Sequence, residues 1–207
     1  MRRIMVGLLS AILMIAAGAF AAEEAAAAKP QAGKSIALVM AGPVDSALMD
    51  RVATFARENT ALNIRLLPAT EAAGHTLAAM AVEASRAMGP EDAALVILAE
   101  PSINIPTHSV FLPDNRVAIV NVPSLKPSNG DAETWGRRVE REVMQGIGML
   151  MGMPACPNPQ CAMFQYTTDE ELDAKGRNYC PPCLGAVQNA AKEKGVNMDA
   201  NSPLAAH

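Results

Sequence analysis

Aromatic side chains are nearly missing from this sequence, with one Trp, two Tyr and four Phe in 207 residues. Binding of single-stranded nucleic acid needs several such rings on a basic surface. A basic surface is missing too, since 17 Lys and Arg stand against 21 Asp and Glu. Nucleic-acid partners are excluded on both counts. A core without rings must be built from Leu, Ile, Val, Ala and 13 Met. Histidine is scarcer still: there are three, and none lies between His108 and His207. Cysteine is confined to four positions, all between 156 and 183.

Those four cysteines are the densest chemical signal in the chain. They form the pairs Cys156-Pro-Asn-Pro-Gln-Cys161 and Cys180-Pro-Pro-Cys183, with four and two residues inside and eighteen between. Such spacing lets two thiolates from each end converge on one tetrahedral cation, and Zn²⁺ accepts four sulfur ligands without d-electron preference. Pro157, Pro159, Pro181 and Pro182 stiffen the turns between ligands. Two disulfides are the alternative, because the protein is expected to be exported. A mononuclear iron site is a lesser one. A c-type haem would need His after the second pair, where Leu184 stands.

The expectation of export rests on residues 1–21. Arg2 and Arg3 form a positive start, Ile4 to Ala17 is apolar apart from Gly and Ser, and Ala19-Phe20-Ala21 offers a small-x-small cleavage site. The apolar run is short for a transmembrane span, so no stable membrane insertion is expected after cleavage near Ala21. The protein then belongs in a periplasm or outside the cell. Arg2-Arg3 resembles the start of a twin-arginine signal, a route by which zinc would be loaded before export. Losing two arginines takes the formal charge from −4 to −6. Residues 22–34, Ala-rich with Glu23, Glu24 and Pro30, read as a disordered lead-in. Residues 35–195 form one domain, and 196–207 a flexible tail.

Within that domain apolar runs and helical patterns alternate. Ser35 to Ala41 reads as a buried strand, Asp45 or Ser46 to Glu58 as a helix, and Asn63 to Leu67 as a strand. His75 to Met88 is helical by composition, and Ala93 to Leu98 is a third buried strand. Alternation of this kind predicts an α/β fold: a mixed, mostly parallel twisted sheet packed by helices. Ser109 to Leu112 and Val117 to Val122 are spaced as a hairpin, which makes one edge antiparallel. A long helix runs from Asp131 to about Met151, with Trp135, Val139, Val143, Ile147 and Leu150 toward the core. Its opposite side carries Arg137, Arg138, Arg141, Glu142 and Gln145. Thr167-Thr168 precede Asp169, Glu170 and Glu171 as a helix start, and Pro181 to Gly195 is the last helix.

The segment Gly152-Met-Pro-Ala-Cys156-Pro-Asn-Pro-Gln-Cys161-Ala-Met163, with Cys180-Pro-Pro-Cys183 sixteen residues on, resembles the archaemetzincins, metzincin-type zinc peptidases. Their pattern is HExxHxxGxxHCxxxxCxM, followed some seventeen residues later by CxxC. The likeness spans residues 35 to about 190. It implies a metzincin-like fold with a C-terminal four-cysteine zinc lobe, in the manner of the family's second zinc. Its catalytic half is replaced. Counting back from Cys156, the metal histidines fall on Gln145, Met149 and Ala155, and the general-base glutamate on Gly146. Gly148 and Gly152 keep small residues. A hydrolytic zinc needs two imidazoles one helical turn apart and an adjacent carboxylate. Shifting the register to Arg141-Glu142 recovers a Glu and a Gly but no histidine.

The expected reading is therefore an exported relative without a catalytic triad. One structural Zn²⁺ sits on Cys156, Cys161, Cys180 and Cys183. A peptide or protein segment lies in the former cleft, against Val117, Ile119, Asn121, Gln145 and Met149. A metallopeptidase with atypical ligands, or a structural or metal-handling periplasmic protein, is the alternative. Met149, Met151 and Met153, with Met144 and Met163 nearby, offer thioethers to Cu(I), though filling a ring-poor core accounts for them as well. His75 and His108 read as ordinary polar or packing residues.

Overall fold

The computed structural model describes residues 33–71, 73–200, 202 and 204. The expected signal peptide, its cleavage site and nearly all of the expected lead-in lie outside the described residues.

Five strands form one sheet: β1 (Ser35–Ala41), β2 (Ile64–Leu66), β3 (Asp92–Ala99), β4 (Ser109–Leu112) and β5 (Val117–Asn121). Their order is β2-β1-β3-β5-β4, parallel except for β4, which runs antiparallel to β5. The sheet is thus mixed and mostly parallel, as the alternation of patterns predicts. β1 and β3 are continuous apolar runs because both faces of the sheet are covered. Ile36, Leu38, Val96, Leu98, Ala118 and Val120 face one side, toward α1 (Ser46–Thr60) and α3 (Ala132–Leu150). Ala37, Val39, Leu95, Ile97, Val117 and Ile119 face the other, toward α2 (Leu77–Ala84). Each fully buried large aliphatic contributes about 1.5–3 kcal/mol, so these two layers hold the sheet mainly through aliphatic burial.

Helix starts follow their caps. Asp45 accepts from the Ala47 amide and Asp131 from the Thr134 amide, satisfying donors that the first turn leaves open. The expected helix from His75 begins later, at Leu77, because the Thr76 hydroxyl accepts from Ala79 and fixes the start there. It ends at Ala84 and tightens into a 3₁₀ turn over Ser85–Ala87. β2 is shorter than expected, with three residues. Beyond them the Leu67 amide still reaches Leu38.

α4 (Asp169–Ala174), capped by Thr168, and α5 (Pro181–Glu193) complete the chain's helices among the described residues. The expected tail from Val196 is corrected as far as Met198. Val196 is buried and bridges Lys34, Asn63 donates to Asn197, and Leu62 bridges Met198. Lys34, expected in the lead-in, likewise donates to Gly195. Two short backbone segments satisfy one another beside β1, so neither is free. No helix among the described residues is long and apolar enough to cross a membrane.

Candidate metal centre and cleft

α3 organises the site. Its apolar stripe behaves as the spacing predicts, with Val139, Val143 and Ile147 fully buried. Its opposite side does not. Arg138, Arg141, Glu142 and Gln145 are buried, and of the five residues expected in water only Arg137 is exposed. The chain after Cys161 folds back over this side and neutralises it group by group. Arg138 donates to Asp169 (2.8 Å) and Asp173 (2.7 Å), which holds its guanidinium firmly charged and the Asp173 carboxyl below its usual range. Arg141 donates to the carbonyls of Lys175 (2.8 Å) and Asp173 (2.7 Å), ending α4 against α3. Tyr179 donates to the Met144 carbonyl, and its burial pushes the phenol well above its ordinary value.

At the end of α3 the chain turns on Gly152, whose φ of +86° suits glycine. Cys156 follows, its amide bonded to the Met163 carbonyl, while the Cys161 amide closes a turn on Asn158. Cys180 caps α5, Pro181 and Pro182 open it without needing the amides that a first turn leaves unpaired, and Cys183 sits in that turn. All four Sγ atoms lie within 4.8 Å of one another, and the Cys156 and Cys180 sulfurs are 3.9 Å apart. A tetrahedron with Zn–S of about 2.3 Å has edges of about 3.8 Å, so the donor set fits one such ion. The four cysteines are free of disulfides. Their electrostatics suit a cation. Burial pushes the Cys161 and Cys183 thiols up, while the Cys183 backbone amide pulls Cys180 down. Clustered thiols resist joint ionisation until a cation compensates them.

Above this centre, between β4 and the returning chain, lies an open cleft of about 360 Å³. Its floor is polar. Ser109 donates to Glu142 Oε2 (2.5 Å), and His108 Nδ1 lies 3.0 Å from the Tyr166 hydroxyl. Tyr166 is pushed well above its ordinary range by burial and by Glu142. Beneath them Lys175, fully buried, donates to Gln145 Oε1 at 2.5 Å and lies 4.0 Å from Glu142 Oε1. Desolvation pushes its ammonium down to about 8.

The expected cleft residues divide. Gln145 lines it. Val117, Ile119 and Asn121 do not, because β5 lies between β3 and β4 with its backbone paired on both sides. Val117 and Ile119 face α2, and Asn121 Nδ2 is spent on the carbonyls of Ile105 and Thr107. Met149 packs against the core instead. The strand at the cleft is β4. Ser109, Tyr166 and Lys175 went unread, Glu142 was read only on the far side of the helix and in the shifted register, and His108, read as ordinary, lines the cleft. Only the edge position of β4, second-last in a predicted hairpin, carried a signal in advance.

The surroundings of the residues counted back from Cys156 differ. A Cβ on Gly146 would lie 3.1 Å from Ala118 Cβ and 3.4 Å from Phe111 Cε1, while one on Gly148 would strike Met163 Sδ. Ala155 is exposed.

Comparison with known proteins gives the same frame. The model of peptidase family M54 matches residues 111–189. The archaemetzincin of Pyrococcus horikoshii is 31% identical over 93 residues, 43% of this chain and 49% of that protein. That of Methanopyrus kandleri is 29% identical over 127 residues, 59% of this chain and 71% of that protein. Over its C-terminal part the chain is similar to the archaemetzincins. The matched segment spans about half the length of the Pyrococcus relative. The crystal structure of the Methanopyrus kandleri archaemetzincin superposes with a TM-score of 0.64 at 20% identity, covering 79% of this chain and 98% of that one. A zinc-dependent peptidase from Methanocorpusculum labreanum gives 0.61 at 17% identity, over 74% and 100%. These likenesses establish the archaemetzincin fold, and the cysteine centre gives this chain a place for a metal.

Proposed function

We propose that this chain is an exported archaemetzincin relative that binds an extended peptide or protein segment without cleaving it. One Zn²⁺ on Cys156, Cys161, Cys180 and Cys183 has a structural role. A closed four-sulfur site leaves no position for an activated water, so such an ion supplies folding energy and not hydrolysis. Support for the loss of catalysis comes chiefly from one observation. The side chain at the first metal-ligand position, Gln145, is hydrogen-bonded to buried Lys175. Beside it, the base position is a glycine pressed against Ala118 and Phe111. Neither position offers an imidazole or a carboxylate.

Peptide binding is supported by β4. It is the sheet edge, and the Asn121 amide to His108 carbonyl bond (2.7 Å) sets the phase of its ladder with β5. By antiparallel alternation Ser109 and Phe111 turn their backbone groups outward, beside the cleft that both side chains line. An extended segment would add there as a sixth strand.

Metal analysis of the purified chain, together with cleavage assays and binding titrations on unstructured peptides, tests the proposal. One zinc per chain, saturable peptide binding and no chelator-sensitive cleavage are expected. Two metal ions with chelator-sensitive cleavage would overturn it. Export is checked by the mature N-terminus of secreted protein, expected just after Ala21.

A further inference from the structure

The eighteen residues between the cysteine pairs build one wall of the cleft. Tyr166, Thr167, Thr168 and Asp169 line it, and Lys175 lies beneath. Little regular structure holds this wall. Its one helix, α4, has six residues, too few to persist alone. Among the described residues, its backbone-to-backbone hydrogen bonds with the rest of the chain end at Cys156, Pro159 and Cys161. Each of those partners is a cysteine or lies inside a cysteine pair. No residue of the wall pairs with a strand.

Further out the wall is held by side chains. Arg138 and Arg141 reach it from α3. Tyr179 donates to the Met144 carbonyl, Lys175 to Gln145 and Arg177 to Glu140, and Met163, Leu172 and Tyr179 are buried beneath it. The carboxylates that Arg138 meets are half in water, Asp169 at 53% and Asp173 at 38% exposure, and pairs of that kind are screened and weak. Both ends of the segment, by contrast, terminate in the sulfur cluster.

We propose that the metal held by Cys156, Cys161, Cys180 and Cys183 orders this cleft wall, making the cleft's shape depend on an ion that does not touch its contents. Pinning both ends of the segment to one point closes it as a short loop. Without the ion, no backbone pairing among the described residues outside the cysteine pairs holds the segment, and closure falls to these side-chain contacts alone. A segment docking on β4 would then have to order the wall itself, and its affinity would drop accordingly. The coupling to affinity rests on the peptide-binding reading above. The ordering of the wall does not.

Hydrogen exchange followed by mass spectrometry on the zinc-loaded full chain, before and after chelation under reducing conditions, tests this. Amides of residues 162–179 are expected to exchange about tenfold or more faster without zinc, while those of β1, β3 and β5 change by less than about twofold. An unchanged wall, or a rise shared equally by the strands, would overturn the proposal. So would a chain that takes up no metal. Arg138→Met provides the second arm, and its wall is expected to stay protected while zinc is bound. Loss of protection in that variant with zinc retained would make the ionic contacts the clasp and sink the idea. Peptide titration of both states is read separately: absence of binding in either counts against the cleft reading and leaves the exchange result standing.

Discussion

The Lys175 ammonium donates to Gln145 Oε1 at 2.5 Å, from a position with no exposure to solvent. A cation supplied by the chain itself therefore engages the side chain that the spacing from Cys156 sets against the first metal histidine of the archaemetzincin pattern. Glu142 Oε1, 4.0 Å away, has no hydrogen-bond partner and faces this same ammonium. The three groups form one electrostatic unit below the cleft.

Removing the cation should be costly. Lys175→Met keeps the stem's volume but leaves Glu142 buried without compensation, a change expected to destabilise by about 3–5 kcal/mol. Adding Glu142→Gln, which retains an acceptor for Ser109, should recover most of the loss. Urea denaturation of both variants reads this. The native protein also carries a pH signature. Lys175 titrates near 8 when folded and near 10.4 when unfolded. Between those values the unfolded chain binds more protons, so stability rises with pH from about 8 toward 10, by at most about 3 kcal/mol. Below 8 the burial penalty is fully present. Lys175→Met should lose the rise, and a rise of equal size in that variant would assign it elsewhere.

Restoring the base by Gly146→Glu should not restore chemistry. The added Cβ meets Ala118 at 3.1 Å and Phe111 at 3.4 Å, and one of those neighbours is backbone-anchored in β5. Overpacking of this kind costs about 1–3 kcal/mol. Phe111→Ala in the same chain should return part of it, as read from denaturation midpoints. Peptide hydrolysis should stay at background in both.

Most of the sheet was legible because its information is local. β1 and β3 are uninterrupted apolar runs, and nothing but a doubly covered strand accommodates Leu95, Val96, Ile97 and Leu98 in succession. The cysteine centre was legible for a related reason, since ligand spacing is written along the chain. The wet side of α3 was not. Periodicity identifies one apolar stripe and assigns the rest to water. Arg138, Arg141, Glu142 and Gln145 are instead covered by residues 30 to 35 positions away: carboxylates for Arg138, backbone carbonyls for Arg141, and the Lys175 ammonium for Glu142 and Gln145. That complementarity exists only once the chain has turned back at the cysteines. The misplacement of the cleft on β5 has the same origin, because strand order is a property of the sheet and not of any strand. Val196 was read as frayed because its partner, Lys34, is far away in sequence.

The four sulfurs should not be equivalent. Cys161 is fully buried, while the other three reach solvent. Replacing any of them by Ser removes a thiolate and should lower zinc affinity. Cys161→Ser additionally buries a hydroxyl whose shorter bond reaches the Cys180 amide less well than the sulfur does, an extra loss of about 1 kcal/mol. Thermal unfolding with zinc content measured on the same samples should rank Cys161→Ser below Cys183→Ser. Equal midpoints would mean that burial of the sulfur carries no weight.

Backbone pairing on β4 makes the sharpest demand. Phe111 turns its amide away from β5, so proline there removes a donor from the open edge while leaving the β4–β5 ladder intact. Val110 bonds inward, and proline at that position breaks the ladder itself. Phe111→Pro is therefore expected to weaken peptide binding by about tenfold, equivalent to about 1.4 kcal/mol, with little change in the midpoint relative to Phe111→Leu. The leucine variant keeps the amide and loses only the ring, so it separates packing from pairing. Val110→Pro should cost stability first. If Phe111→Pro binds as tightly as Phe111→Leu, the docked segment does not add to the sheet, and recognition passes through side chains of the cleft alone.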